Sequence, residues 1–174
     1  MLRPPRLRDF EEWADLREES RSFLTPWEPL WPEDDLTRHS FRRRLRRYED
    51  DIRNDSSYPF FVFRQVDELL IGGLTLSLVH RGAAQSCKLG YWIGERHARQ
   101  GYMSRAVKLV KIFAFGELAM HRIEAACLPT NAASIRLLEK SGFTREGYAR
   151  QYLRIAGAWE DHLLYAMLRA DHAA

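Results

Sequence analysis

A β-rich run from Lys88 to Ile93, a charged turn from Gly94 to Gln100 and a segment of helical period opening at Gly101 follow one another without a break. Met103, Ala106, Val107, Val110, Phe113 and Ala114 recur at three- and four-residue steps, while Arg105, Lys108 and Lys111 fall on the opposite side. This is strand, loop and helix, and the rest of the chain has to be laid out around it. The unit suits anion capture: a glycine at the mouth of a helix lets a ligand approach the backbone, and the first-turn amides have no partners inside the helix. Arg99 and Arg105 add full charges. On these residues alone, an ordinary connection with solvated arginines is the simpler reading.

Before this unit, Leu2 to Pro5 reads as a short edge strand ended by its prolines, and Asp9 opens a helix through Ser20 or Ser22. Phe23 to Pro32 holds three prolines and two tryptophans, which predicts a stiff, extended segment. Trp27 and Trp31 on such a segment either line a recognition groove or cap the core. Asp34 or Asp35 then starts a helix reaching about Arg53. Its Arg42, Arg43, Arg44, Arg46 and Arg47 form a basic cluster, while Phe41, Leu45, Tyr48 and Ile52 make its inward stripe. A solvated face and an RNA contact are both open readings of those arginines.

Phe60 to Gln65, Leu69 to His80 and Gln85 to Ile93 read as three strands of an antiparallel meander. Beyond the central helix, His121 to Leu128 is a further strand and Ala132 to Lys140 a short helix closed by Gly142. A hairpin follows, Phe143 to Ile155 and Trp159 to Leu168, turning at Ala156 and Gly157. The sum is a mixed α+β sheet with helices before and behind it, expected to form a single domain over residues 1–174.

Composition narrows the class. The 174 residues are long enough for a core of their own, and 45% hydrophobic with 29% charged is ordinary for a globular protein. No apolar run approaches membrane-spanning length, so no membrane partner and a cytoplasmic location are expected. Cys87 and Cys127, without a CxxC or a histidine cluster, read as buried thiols in a reducing compartment, and no metal is expected. A net charge of +3 permits an acidic ligand or RNA without requiring either.

Gly90-Tyr-Trp-Ile93, the turn ending Arg99-Gln-Gly-Tyr-Met103, Pro129 to Ser134, Leu138 to Phe143 and Gly147 to His162 together resemble the GNAT superfamily of N-acetyltransferases. The likeness is nearest to the bacterial branch that acetylates the N-terminal alanine of ribosomal proteins. It implies a mostly antiparallel sheet splayed between about 88–93 and 121–128, with acetyl-CoA as cosubstrate. Three acceptors stay open: the N-terminal α-amine of a protein, with ribosome association; a small-molecule amine such as a metabolite, polyamine or antibiotic; or none, in an RNA-associated factor that has lost catalysis. A monomer or a homodimer fits equally.

The resemblance also implies site residues. The pyrophosphate pattern falls on Ala98 to Met103, with Gly101 kept and Ala98 and Met103 departing from it, and Arg99, Gln100, Gly101, Tyr102, Met103 and Ser104 are the cofactor-binding residues it implies. A backbone amide near Trp92 or Ile93 would polarise the acetyl carbonyl, and Asn131 would hold the pantetheine. The tyrosine that many members use as acid falls at Leu138, which leaves Ser134, three residues after Asn131, as hydrogen-bond donor to the sulfur. Asn131 and Ser134 also fit a helix cap. Trp27, Trp31 and Tyr152 would wall the acceptor groove. Where some relatives carry a glutamate, this chain has Lys88, so Glu28, Glu95 and Asp161 are the candidates for a base.

Overall fold

The computed structural model describes residues 1–172; Ala173 and Ala174, which the single-domain expectation also spans, lie outside the described residues. In chain order the elements are β1 (Leu2–Arg3), α1 (Phe10–Glu19), α2 (Arg21–Leu24), α3 (Arg38–Arg53), β2 (Tyr58–Phe63), β3 (Leu70–His80), β4 (Ser86–Ile93), α4 (Tyr102–Phe115), β5 (Arg122–Cys127), α5 (Ala132–Lys140), β6 (Thr144–Ile155), β7 (Ala158–Leu168) and α6 (Arg169–His172). The seven strands make one sheet in the order β1-β2-β3-β4-β5-β7-β6. Every pairing is antiparallel except that of β4 with β5.

Two apolar clusters hold helices to the two faces. The larger joins Cys87 and Leu89 of β4 and Ile123 of β5 to Met103, Ala106, Val107, Val110 and Ala114 of α4 and Leu138 of α5. The helical stripe expected from Gly101 onward is therefore the one that is buried. The smaller cluster packs Trp13 and Leu16 of α1 and Phe41 of α3 against Phe61, Phe63 and Leu70. Alternation along β4 serves both: Cys87, Leu89, Tyr91 and Ile93 face α4 and α5, whereas Trp92 faces α1.

Three expected boundaries move. The helix expected from Asp34 begins at Arg38, because the Thr37 hydroxyl accepts the Ser40 amide (3.2 Å) and so supplies the cap. Asp34 and Asp35 instead bind Arg43 (2.8 Å) and Arg44 (2.5 Å). The proline-rich segment is not extended throughout. Phe23 and Leu24 complete α2, and Thr25–Trp27 make a 3-10 turn in which Pro26 occupies an opening position that needs no N–H. The strand expected at Phe60–Gln65 lies two residues earlier despite Pro59. β1 covers only Phe61 and Val62, so no strand flanks β2 at Pro59 to demand the missing donor.

β4 and β5 pair over Ser86–Lys88 and Arg122–Glu124 only. Beyond that point each strand keeps its outer neighbour: β4 stays on β3 as far as Ile93↔Gly72, and β5 stays on β7 as far as Cys127↔Leu163. The splay expected from the resemblance is present and opens at Leu89 and Ala125. Gly72 and Gly73 let the far half of β4 lie close to β3, since a Cβ at Gly72 would sit 2.5 Å from the Trp92 carbonyl oxygen and one at Gly73 2.5 Å from the Trp92 indole nitrogen. Gly72→Ala is expected to lower unfolding free energy by about 1–3 kcal/mol, the usual cost of overpacking against backbone that must shift. Urea denaturation of the variant beside the parent protein checks this.

Candidate active site

The turn before α4 is shaped by two left-handed residues, Arg99 (φ 60°) and Gly101 (φ 78°). Gly101 is the N-cap of α4 and offers no side chain, so the first amide bonded back to it is that of Arg105, which donates to the Gly101 carbonyl (3.2 Å). Among the described residues the amides of Tyr102, Met103 and Ser104 find no backbone acceptor. These donors point out of a positive helix end. A Cβ on Gly101 would meet no atom within 4 Å, so the lip is open. The Gln100 side-chain amide donates to the Arg96 carbonyl (2.8 Å), and Tyr102 lies edge-on to buried His97. Arg99 and Ser104 are exposed, whereas the Met103 side chain is buried in the core and leaves only its amide to a ligand. Burial lowers the His97 pKa, and the neighbouring Arg96 charge lowers it further.

Strand alternation fixes what lines the wedge. The Gly94 amide donates to the Ile71 carbonyl (2.9 Å), so even-numbered residues of β4 turn their backbone groups to β3 and odd-numbered ones turn theirs to β5. Past the paired stretch, the N–H and C=O of Tyr91 and Ile93 therefore face the opening. The Arg169 amide donates to the His121 carbonyl (2.9 Å), and the same counting along β5 turns Ala126 toward the opening. The backbone of Trp92 is engaged with Gly73 instead, which leaves Ile93 as the carbonyl-polarising candidate of that pair.

Inside the wedge, the Asn131 side-chain oxygen accepts the Ser134 amide (3.0 Å). The capping alternative is thus realised, and the Asn131 amide nitrogen finds no acceptor among the described residues. The Ser134 hydroxyl lies 2.6 Å from the Tyr91 hydroxyl, across the wedge on β4. Cys127 borders the same hydroxyl; burial raises its thiol pKa, and the Ser134 contact offsets part of that rise. Burial likewise raises the Tyr91 phenol, which stays protonated at neutral pH. Leu138 is fully buried.

On the other face of β4, Gly90 is exposed, with no atom within 4 Å of where a Cβ would be. Beside it, the Lys88 ammonium donates to the Tyr152 hydroxyl (2.6 Å), and Tyr152 stands edge-on to buried His162. Trp31 is not a free wall. Its indole N–H donates to Glu28 (2.8 Å), Glu28 accepts two hydrogen bonds from Arg17 (2.9 and 2.7 Å), and the Arg17 guanidinium lies over both Trp31 (4.0 Å) and Trp92 (4.9 Å). Trp27 remains 37% exposed. The Ala156 amide, at the tip of the β6–β7 hairpin, donates to the Glu28 carbonyl (2.9 Å) and ties that hairpin to the proline segment.

The candidate bases separate. Glu28 is consumed by Arg17 and Trp31. Asp161 accepts from the Tyr148 hydroxyl and the Gln151 amide, and these bonds, the tyrosine's first, hold its carboxyl below the usual carboxylate range. Glu95 is exposed, and its amide donates to Ser20 (2.9 Å). The arginine cluster of α3 also divides: Arg43 and Arg44 are paired with Asp34 and Asp35, Arg44 lies over Trp13, and Arg42, Arg46 and Arg47 stay on the exposed face. Tyr91 and Gly90 lie in a motif that carries the resemblance but are given no site role there, and nothing in the sequence marks Arg17 as the partner of Glu28. No group of three His, Cys, Asp or Glu among the described residues is placed to hold a metal ion, and no described helix is long and apolar enough to cross a membrane.

A splayed parallel pair, an amide-lined helix mouth and an open glycine on the opposite face make up the candidate site. Residues 1–144 match the family model described as "Acetyltransferase (GNAT) domain". The chain is 39% identical over 170 residues to the probable N-acetyltransferase YjcK of Bacillus subtilis, covering 98% of this chain and 94% of that one. It is 35% identical to the [ribosomal protein uS5]-alanine N-acetyltransferase of Escherichia coli, over 94% of this chain and 84% of that one. The solved structure of Mycobacterium smegmatis RimJ in complex with CoA-disulfide superposes with a TM-score of 0.90 at 32% identity, covering 96% of this chain and 80% of that one. The chain belongs to the GNAT family. It is an N-acetyltransferase.

Two outcomes follow from the lip. Gly101→Glu, which puts a carboxylate and a strained φ where a diphosphate would sit, is expected to raise the KM for acetyl-CoA by about tenfold or more in steady-state assays, since each tenfold is about 1.4 kcal/mol. Because the His97 pKa is lowered by folding, the unfolded chain binds the extra proton first, and stability is lost as pH falls below about 6.5. The thermal midpoint should drop by a few degrees between pH 7.5 and 5.5, and by less in His97→Gln.

Proposed function

We propose that the acceptor is the N-terminal α-amine of a protein, with a ribosomal protein as substrate. The observation that supports this reading best is the exposed floor at Gly90, on the face of β4 opposite α4, where no atom lies within 4 Å of an added Cβ. The name of the E. coli relative agrees with it. Acetyl-CoA would lie with its pyrophosphate on the amides of Tyr102 to Ser104, beside Arg99 and Gln100. Its pantetheine would be held by Asn131 and by the wedge backbone, in the manner of an added strand. The Ile93 amide would polarise the thioester carbonyl, and Ser134 would donate to the departing sulfur.

The missing carboxylate base has a physical substitute in this scheme. An α-amine titrates near 7.7–8.0, so a useful fraction is neutral already. The fixed positive charge of Lys88, held on Tyr152 at the apex of the wedge, disfavours a second cation next to it and so favours the neutral amine. The rim is built from Tyr152 and the Trp27–Trp31 segment, stiffened by Arg17 and Glu28.

Peptides representing protein N-termini, each with a free and a blocked α-amine, are expected to be acetylated only when the amine is free. Gly90→Val should cut kcat/KM for the peptide by about tenfold or more, with coenzyme A binding by calorimetry unchanged. Efficient turnover of a polyamine together with none of any peptide would overturn the assignment and leave a small-molecule acceptor.

A further inference from the structure

The 2.6 Å contact between the hydroxyls of Tyr91 and Ser134 joins β4, one wall of the wedge, to the first turn of α5. A serine hydroxyl has one proton to give and two lone pairs to accept with, and its proton rotates to the best acceptor within reach. In the first turn of a helix the ready acceptor is a local backbone carbonyl, a bond that would turn the proton away from any ligand. The Asn131 cap fixes the Ser134 backbone amide but leaves the hydroxyl torsion free. Only a second group can set it.

We propose that Tyr91 is a positioning residue for thiolate departure: its hydroxyl donates to Ser134 Oγ, which turns the Ser134 proton toward the sulfur of coenzyme A. The inference rests on Ser134 being the donor to sulfur, as in the function proposed above. The tetrahedral intermediate breaks its C–S bond, and the electron pair goes to sulfur. The proton of the attacking amine leaves to water, and the resulting thiolate is held by Ser134 O–H, itself held by Tyr91 O–H. No proton needs to leave the phenol, which fits a buried side chain whose ionisation burial disfavours. Leu138 is turned into the core and α5 carries no tyrosine, so no phenol of α5 stands in this role.

Tyr91→Phe removes the oxygen and keeps the ring. With acetyl-CoA and an acceptor peptide it is expected to lower kcat about tenfold with little change in the KM for acetyl-CoA, and to lower it no further when added to Ser134→Ala. With an aromatic thioester, whose thiol leaves readily, the loss should shrink toward nothing. A readout that needs no acceptor is the thiol of bound coenzyme A, followed by its thiolate absorbance: its titration should move up by about one pH unit in Tyr91→Phe. Unchanged kcat and unchanged thiol titration would overturn the inference, as would a full additional loss in the Ser134→Ala background, which would mean that Tyr91 acts on its own. If Ser134→Ala alone changes neither quantity, the Ser134 assignment fails first and Tyr91 has no partner to position. Bound-thiol titration as inferred, without turnover of any peptide, would leave the inference standing and remove only the proposed acceptor.

Discussion

The whole candidate site depends on β4 and β5 parting company after Lys88 and Glu124. Unpaired strand edges inside a protein are costly, because each amide and carbonyl left without a partner forfeits its hydrogen bond. Here the cost falls on Tyr91, Ile93 and Ala126, whose backbone groups face the opening. A ligand carrying amide groups of its own could satisfy them, as the function proposed above requires. What keeps the wedge from closing is the firmness of the outer pairings: the Gly72–Gly73 approach holds β4 to β3, and β7 holds β5 to its end.

The two ends of the wedge are chemically unlike. At its mouth, α4 presents amides that have no acceptor, a setting for negative charge. At its apex, the Lys88 ammonium rests on a phenol, a setting that disfavours another cation. Between them lies a pair of hydroxyls, Tyr91 and Ser134. The acceptor side is stiffened from outside the sheet, since the Arg17–Glu28–Trp31 stack pins the proline segment and the Glu28 carbonyl pins the hairpin tip. Partly buried charge pairs of this kind add little net stability, but they fix geometry.

Much of this was legible beforehand, for definite reasons. The buried stripe of α4, the β6–β7 hairpin and α5 each rest on periodicity or on a glycine that the local backbone requires, and those signals are local. The errors came where a neighbour decided. Thr37 took the cap that Asp34 and Asp35 were expected to supply, because both aspartates are drawn to arginines one turn and more along α3. The proline segment begins as a turn because Pro26 falls where a helix tolerates it. The contacts of Trp31, expected either to line a groove or to cap the core, and of Glu28, one of three candidate bases, with Arg17 were not legible either, since Arg17 lies on another element and the pairing has no signature in spacing.

By itself, the order of residues determined the strand, loop and helix around Gly101, because backbone conformation and amide exposure at a helix mouth follow from local sequence, and the family was legible in motifs spread along the whole chain. Only the tertiary structure decided which side of β4 each residue serves. That Ile93 rather than Trp92 turns its amide to the wedge, and that Tyr91 reaches Ser134, are consequences of strand register and of how α5 is seated. Register is set by packing among distant segments, and a shift of one residue would have exchanged every one of those roles.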